Sequence, residues 1–294
     1  ASVVVSIALP SIGQATPSHP GAWNGVFSHK NGLGWVIILA SLVYSWKFWQ
    51  PGSSKTGIAL LLLLFLFLSV VSQSKTSFIG SIFSFFAFPA LRMLHAPGIL
   101  RLWVFFIFGA GSILALSMLA MFWTEILTAI GRDPTLTGRV PLWNVLLDFA
   151  ADHFMLGYGY SSFWIEWNPD ADFVWKVIQW DAPEAHNAYL DMLLQLGVFG
   201  LALSLLVMYR VIRLSLRDYL TNPQPWTDFV LINTVLSAMT NMVETMLFRS
   251  GDVHCWLLPL CYFALCQVQR EESHQPVRKP VAIKTSQHPA SSSW

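Results

Sequence analysis

"DAPEAHNAYLDMLLQLGVFGLALSLLVMY", residues 181–209, joins two patterns whose reading decides the fold. Asp181 and Glu184 stand three apart, as in a capping box, and a long apolar run follows. A helix needs roughly 17–25 mostly apolar residues to cross a bilayer, and this run supplies them. Yet its mouth carries His186, Asn187 and Asp191, and Gln195 lies a turn deeper. Asn187, Asp191 and Gln195 fall at i, i+4 and i+8, on one face of the helix.

The rest of the chain agrees with a membrane reading. Hydrophobic residues make up 54% and charged residues 11%, with a mean hydropathy of +0.53. Soluble domains carry roughly 25% charged residues, so the chain reads as an integral membrane protein. A net charge of +1 gives no footing for nucleic acid. Cys255, Cys261 and Cys266 share one apolar stretch without zinc-ligand spacing and read as packing residues. Residue 1 is alanine, and the apolar stretch Ala1–Leu9 has no basic flank and is too short to span. The chain is therefore expected to be an N-terminally truncated fragment, with residues 1–30 a partial span or outer segment.

Seven stretches qualify as spans: 31–49, 56–72, 77–94, 99–122, 187–210, 227–247 and 252–269. The expected architecture is an all-α polytopic transmembrane bundle. Helices 1–4 occupy residues 1–122, a large extracytoplasmic loop subdomain residues 123–186, and helices 5–7 residues 187–269. Residues 270–294, rich in Pro, Ser, Lys and His, are expected to be a disordered cytoplasmic tail.

Basic residues orient the bundle. With the tail in the cytoplasm, Lys47, Lys55, Arg92, Arg101, Arg210, Arg213, Arg217 and four tail residues lie inside, 11 of the 17 Lys+Arg. Six remain outside: Lys30, Lys75, Arg132, Arg139, Lys176 and Arg249. Lys30, Lys75 and Arg249 sit at span ends. They suit either lipid headgroups and acidic loop residues or an anionic ligand such as a diphosphate. Asn233, Ser237, Asn241 and Glu244 form a second polar stripe. Both stripes read either as interhelical hydrogen bonding or as the wall of a cavity open to the outside.

Within the loop, "TGRVPLWNVLLDFAADHF" (137–154) predicts a helix with Val140, Trp143, Leu147, Ala150 and Phe154 as its apolar stripe. Arg139 in its first turn opposes the helix dipole, which implies an anion held there. Trp164, Trp167, Trp175 and Trp180 suit an interfacial belt or contact with sugar faces. "DAD" at Asp170–Asp172 has the form of a metal-binding DxD, but three residues in an acidic loop are a weak match, and no metal or other cofactor is expected.

Four motifs then occur in order: "GVFSHKNGLG" (25–34), "SQSKTS" (72–77), "TGRVPLW" (137–143) and "HNAYLDMLLQLGVFGL" (186–201). Together they resemble the O-antigen ligase and polymerase superfamily of bacterial membrane glycosyltransferases, most closely its exopolysaccharide polymerase branch. The resemblance implies a multi-pass protein of the bacterial inner membrane with its active face periplasmic. It implies metal-independent, inverting transfer or polymerisation of glycan from an undecaprenyl-diphosphate-linked donor, in exopolysaccharide or O-antigen biosynthesis. The implied partners are that donor, membrane lipid, a glycan or lipid A-core acceptor, and chain-length and export proteins. His186 and Arg139 are the implied catalytic residues. His29, Lys30, Lys75, Arg249, Asn187, Asp191 and Glu244 are the implied diphosphate- or glycan-binding residues. His186 would act as general base on a sugar hydroxyl, or hydrogen-bond the diphosphate while Glu244 or Asp191 takes the proton. Two other readings stay open: a ligase to lipid A-core or protein, and a polysaccharide or small-solute transporter without catalysis. The outward position of the polar residues counts against transport.

Overall fold

A computed structural model describes residues 1–14, 21–27, 29–95, 97–99, 138–221, 226–246 and 253–274. Residues 100–122 of the expected fourth span, Arg132, Arg249 and residues 275–294 of the expected tail lie outside these residues, while residues 270–274 of that tail are helical as the end of the last helix. The described residues are helical, without a strand. They form α1 (Ser2–Ala8), α2 (Pro10–Gly13), α3 (Lys30–Trp49), α4 (Lys55–Val71), α5 (Lys75–Arg92), α6 (Arg139–Asp152), α7 (Pro169–Ile178), α8 (Ala188–Thr221), α9 (Thr227–Thr240) and α10 (Val253–His274). A short 3-10 turn, Met93–His95, follows α5. By length and composition α3 and α8 are able to cross a membrane, and α4, α9 and residues 256–267 of α10 are shorter apolar helices.

Helix α3 packs along α5, and small residues make the approach close. Gly34 faces Ser74 and Ser77, and Gly80 faces Ile38. Ser41 and Ser81 share a hydrogen bond of 2.8 Å across the interface. In lipid there is little hydrophobic drive between helices, so such small, hydrogen-bonded contacts set the packing. Ile38, Leu42, Phe88, Ile232 and Leu236 then form a core shared by α3, α5 and α9.

Residues 138–187 form a compact unit around the first turns of α8. Its core is Leu142, Leu146, Ala150, Phe163, Ala171, Val174, Ala182 and Ala185, closed by Leu190 and Leu194. The buried face of α6 is thus Leu142–Leu146–Ala150, while Val140, Leu147 and Phe154 are exposed, which rotates the expected stripe. The segment is apolar on most of its circumference, so its neighbours select the buried face. Indoles tack the chain in place. Trp143 donates to Ala185 O (2.8 Å), Trp175 to Ala182 O (2.7 Å) and Trp164 to Asp191 Oδ1 (2.8 Å). Trp164 and Trp175 therefore serve this unit, whereas Trp167 is exposed. "DAD" lies in the first turn of α7, capped by Asn168, and Asp172 pairs with Lys176 at 2.5 Å.

Two helix ends differ from the sequence reading. Helix α8 begins at Ala188, and its cap is Asn187, whose Oδ1 accepts from Tyr189 N (3.0 Å) and Leu190 N (3.1 Å). Asp181 and Glu184 do not form the capping box, and Glu184 is buried. Helix α9 ends at Thr240, so the stripe from Asn233 leaves the helix before Glu244. Asn241 turns the chain: its Nδ2 donates to Ser237 O (2.7 Å) and its Oδ1 accepts from Met246 N (2.9 Å). Ala188 N donates to Asn241 O (2.9 Å) and Glu244 O (3.2 Å), so this turn is fixed to the start of α8.

Candidate functional site at the mouth of the bundle

That junction brings together residues far apart in sequence. Glu244 is 3% exposed in the turn after α9. Arg139, the first residue of α6, places Nη2 3.1 Å from Glu244 Oε1, and its Nη1 donates to Val243 O. The start of α3 supplies Asn31, whose Nδ2 donates to Glu244 Oε2 at 3.3 Å. The start of α5 supplies Thr76, whose hydroxyl donates to Glu244 Oε1 at 3.3 Å. Arg139 therefore meets an anion that the protein itself provides, which accounts for a cation in the first turn of a helix.

His186 completes the group. Its Nδ1 lies 3.4 Å from Glu184 Oε1 and 3.9 Å from Glu244 Oε2. Both distances exceed an ordinary N–H···O bond of roughly 2.7–3.2 Å, so the ring is loosely paired with two carboxylates. Trp180 stacks on the imidazole at 5.8 Å between centroids and 30° between planes. The backbone at His186 has φ +49°, the left-handed region that residues with a Cβ rarely enter. Such conformations persist where surrounding contacts enforce them, and they concentrate at functional sites. Here Ala185 is held by Trp143 through its carbonyl and by Asp191 Oδ1 through its N–H (3.2 Å), and Asn187 caps α8 on the other side.

Burial alone would push the Glu244 carboxyl up. Its interactions with His186 and Arg139 outweigh that and hold it below the ordinary carboxylate value. Partial burial and the neighbouring Lys30 charge hold the His29 imidazole below its ordinary value, with Glu244 opposing them.

The structure thus joins His186, Arg139 and Glu244, with His29 and Lys30 at the neighbouring start of α3. His29 caps that helix through Nδ1, which accepts from Asn31 N at 3.2 Å, and Lys30 is buried. Lys75 is exposed, and its neighbour Thr76 is the residue that reaches the carboxylate. Asn187 is occupied as a cap. Asp191 faces the loop unit, accepting from Trp164, Ala185 N and Gln195 Nε2 (2.6 Å). Three participants lacked their own signal in the sequence. Asn31 and Thr76 sit beside the basic residues in "HKN" and "SKT", and Glu184 was spoken for by the capping pattern.

Glu184, His186 and Glu244 offer ligand atoms within 4.8 Å of one another, a set that by residue type suits a metal ion. The Arg139 guanidinium already sits on Glu244 and supplies a positive charge there. The arrangement also suits proton transfer: carboxylates facing Nδ1 balance the charge that forms when the other ring nitrogen takes a proton.

Residues 57–205, just over half of the chain, match the O-antigen ligase family. The chain belongs to that family. Arg139, Glu184 and His186 fall inside the matched segment of this O-antigen ligase family member, while Asn31 and Glu244 fall outside it. The chain is also 28% identical over 202 residues to the exopolysaccharide production protein ExoQ of Rhizobium meliloti (strain 1021), covering 63% of this chain and 44% of that protein. It spans less than half the length of that relative. The similarity agrees with the exopolysaccharide branch of the superfamily.

Proposed function

We propose that this chain carries the acceptor-activating part of a membrane glycosyltransferase that polymerises glycan from an undecaprenyl-diphosphate-linked donor. The observation that carries the proposal is His186 with Nδ1 facing two buried carboxylates, 3.4 and 3.9 Å away, the second of them paired with Arg139. The acceptor hydroxyl gives its proton to Nε2 of His186 as its oxygen attacks the anomeric carbon. The carbon–oxygen bond to the diphosphate breaks in the same step, and the anomeric centre inverts. A general base of this kind contributes roughly 100- to 10,000-fold. Glu184 is a positioning residue that orients the imidazole. Arg139 orders Glu244, and Lys30, His29, Lys75 and Arg249 are the groups we assign to the departing diphosphate. The cationic element at the carboxylates is Arg139, and we assign no metal to the step.

In this reading seven stretches of the chain span the bacterial inner membrane, and the mouth faces the periplasm, on the side of the loop unit, residues 138–187. The similarity to an exopolysaccharide production protein favours a polymerase over a ligase to lipid A-core. Deleting the gene and sizing the product tests this. Loss of long polymer with single repeats surviving is expected. Full-length polymer left on its lipid carrier would mean a ligase, and unchanged polysaccharide would contradict both.

A further inference from the structure

Helix α8 is broken at Gly197, whose φ of 63° and ψ of −167° are non-helical. The break frees the carbonyls of Leu194 and Gln195 and the N–H of Val198. A single segment of the loop unit takes up all three. Tyr158 N donates to Leu194 O (2.9 Å), Gly159 N to Gln195 O (2.8 Å), and Val198 N to Phe154 O (2.8 Å). Ser161 N adds a bond of 2.7 Å to Gln195 Oε1. The approach needs glycine on both sides. A Cβ at Gly197 would stand 2.2 Å from Met155 O, and one at Gly157 would stand 2.5 Å from Gln195 C.

The level of this contact follows from the sequence of α8. Tyr209, Arg210 and Arg213 end its apolar part, as aromatic and basic residues do at a membrane boundary. Gly197 lies about 20 Å along the helix from Arg210 and about 24 Å from Arg213, at ~1.5 Å per residue. The hydrocarbon core is ~30 Å thick. Gly197 therefore sits roughly 6–10 Å below the far boundary, and helix tilt only deepens it. The segment bound to it carries Phe154, Met155 and Leu156, all exposed, with Leu156 at 75%. They continue the exposed apolar surface of α8 at Phe199 and Leu203.

We propose that residues 154–159 are a re-entrant tip that dips into the acyl chains of the leaflet on the His186 side. Non-helical backbone at that depth requires its polar groups to be paired within the protein, and the break in α8 provides partners for Phe154 O, Tyr158 N and Gly159 N, while Gly157 N donates to His153 O. The occupant of the exposed face is lipid. The tip fixes the loop unit at one depth relative to the part of α8 that follows Gly197. The proposal rests on α8 crossing the membrane.

The test uses the full-length protein in lipid nanodiscs. A fluorophore is attached in turn at Met155→Cys, Leu203→Cys and Lys176→Cys, with all other cysteines replaced. Spin-labelled lipids carry the quencher at the headgroup, at acyl carbon 5 or at carbon 12. At residue 155 quenching by carbon 5 is expected to exceed headgroup quenching at least twofold. Residue 203 is expected to respond most to carbon 12, and residue 176 to neither acyl position. Quenching at 203 without acyl quenching at 155 would overturn the tip, and a shielded but unquenched label there would point to a protein partner. Absence of acyl quenching at 203 would overturn the spanning reading of α8 itself. The unlabelled wild-type protein provides a second measurement. A lipid with a diazirine in mid-chain is expected to leave adducts on residues 154–156, and adducts on α8 alone would contradict the proposal.

Discussion

Two arginine–carboxylate pairs close opposite ends of the same three helices, and they are built alike. At one end Arg139 holds Glu244 at 3.1 Å and also donates to a backbone carbonyl, that of Val243. At the other, Arg92 lies 3.7 Å from Asp228 and donates to Trp49 O at 2.6 Å. Each pair ties together the ends of α3, α5 and α9. Their surroundings differ. Asp228 meets the indole of Trp46 (3.1 Å), while His95 packs on Tyr219 nearby (4.8 Å). Glu244 meets Asn31, Thr76 and a histidine that a second carboxylate also faces. An ion pair alone marks a helix junction. A histidine on left-handed backbone that faces two carboxylates is the feature the proposed proton transfer uses.

Substitutions at the two ends should separate these roles. Arg139→Ala is expected to have the largest effect, cutting glycan transfer by ~100-fold or more. It should also lower stability by about 3 kcal/mol, because it strands a buried carboxylate. Transfer from lipid-linked donor and thermal unfolding of the purified protein measure the two losses. Glu184→Gln comes next. It should reduce kcat roughly tenfold or more with little change in KM and move the acid limb of the pH–rate profile, since it disturbs the orientation of His186. An unchanged profile would leave Glu184 a packing residue. At the opposite end Arg92→Gln should lower stability by about 1 kcal/mol, because its side chain is partly exposed, and leave kcat at the wild-type value. A large loss of kcat there would erase the distinction between the ends.

The smallest effect concerns pH. Glu244 is held below its ordinary value, so its stabilising contribution is complete above that value, near 4.5, and is lost as pH falls through the lowered one. The melting temperature should show no Glu244-dependent change between pH 7 and 5. A decline below about pH 4.5 should be weaker in Glu244→Gln. A Glu244-dependent fall between pH 6 and 5 would mean that Arg139 does not hold the carboxylate down.

The helical class and the order of the elements were legible in the sequence, because long apolar runs leave few alternatives. Six of the expected stretches begin within two residues of α3, α4, α5, α8, α9 and α10. What the sequence could not display was where helices stop for tertiary reasons. Helix α9 ends at Thr240 because Asn241 and the first amide of α8 capture the turn, and no local breaker announces it. The polar stripe Asn187–Asp191–Gln195 was visible, but its partners are loop backbone and an indole, which spacing along one helix cannot reveal. Gly157 and Gly197 were each visible, yet the contact between them is legible only in three dimensions. Arg139 was the reverse case: an unfavourable dipole position pointed to a bound anion, and the structure places a carboxylate of the protein itself, Glu244, against the guanidinium.

The most direct measurement compares initial rates of glycan transfer from lipid-diphosphate-linked donor in proteoliposomes of the full-length protein. His186→Ala and Arg92→Gln are assayed side by side at equal amounts of folded enzyme. Transfer by His186→Ala is expected to fall by roughly 100-fold or more while Arg92→Gln keeps the wild-type rate. Transfer by folded His186→Ala at the wild-type rate would contradict it.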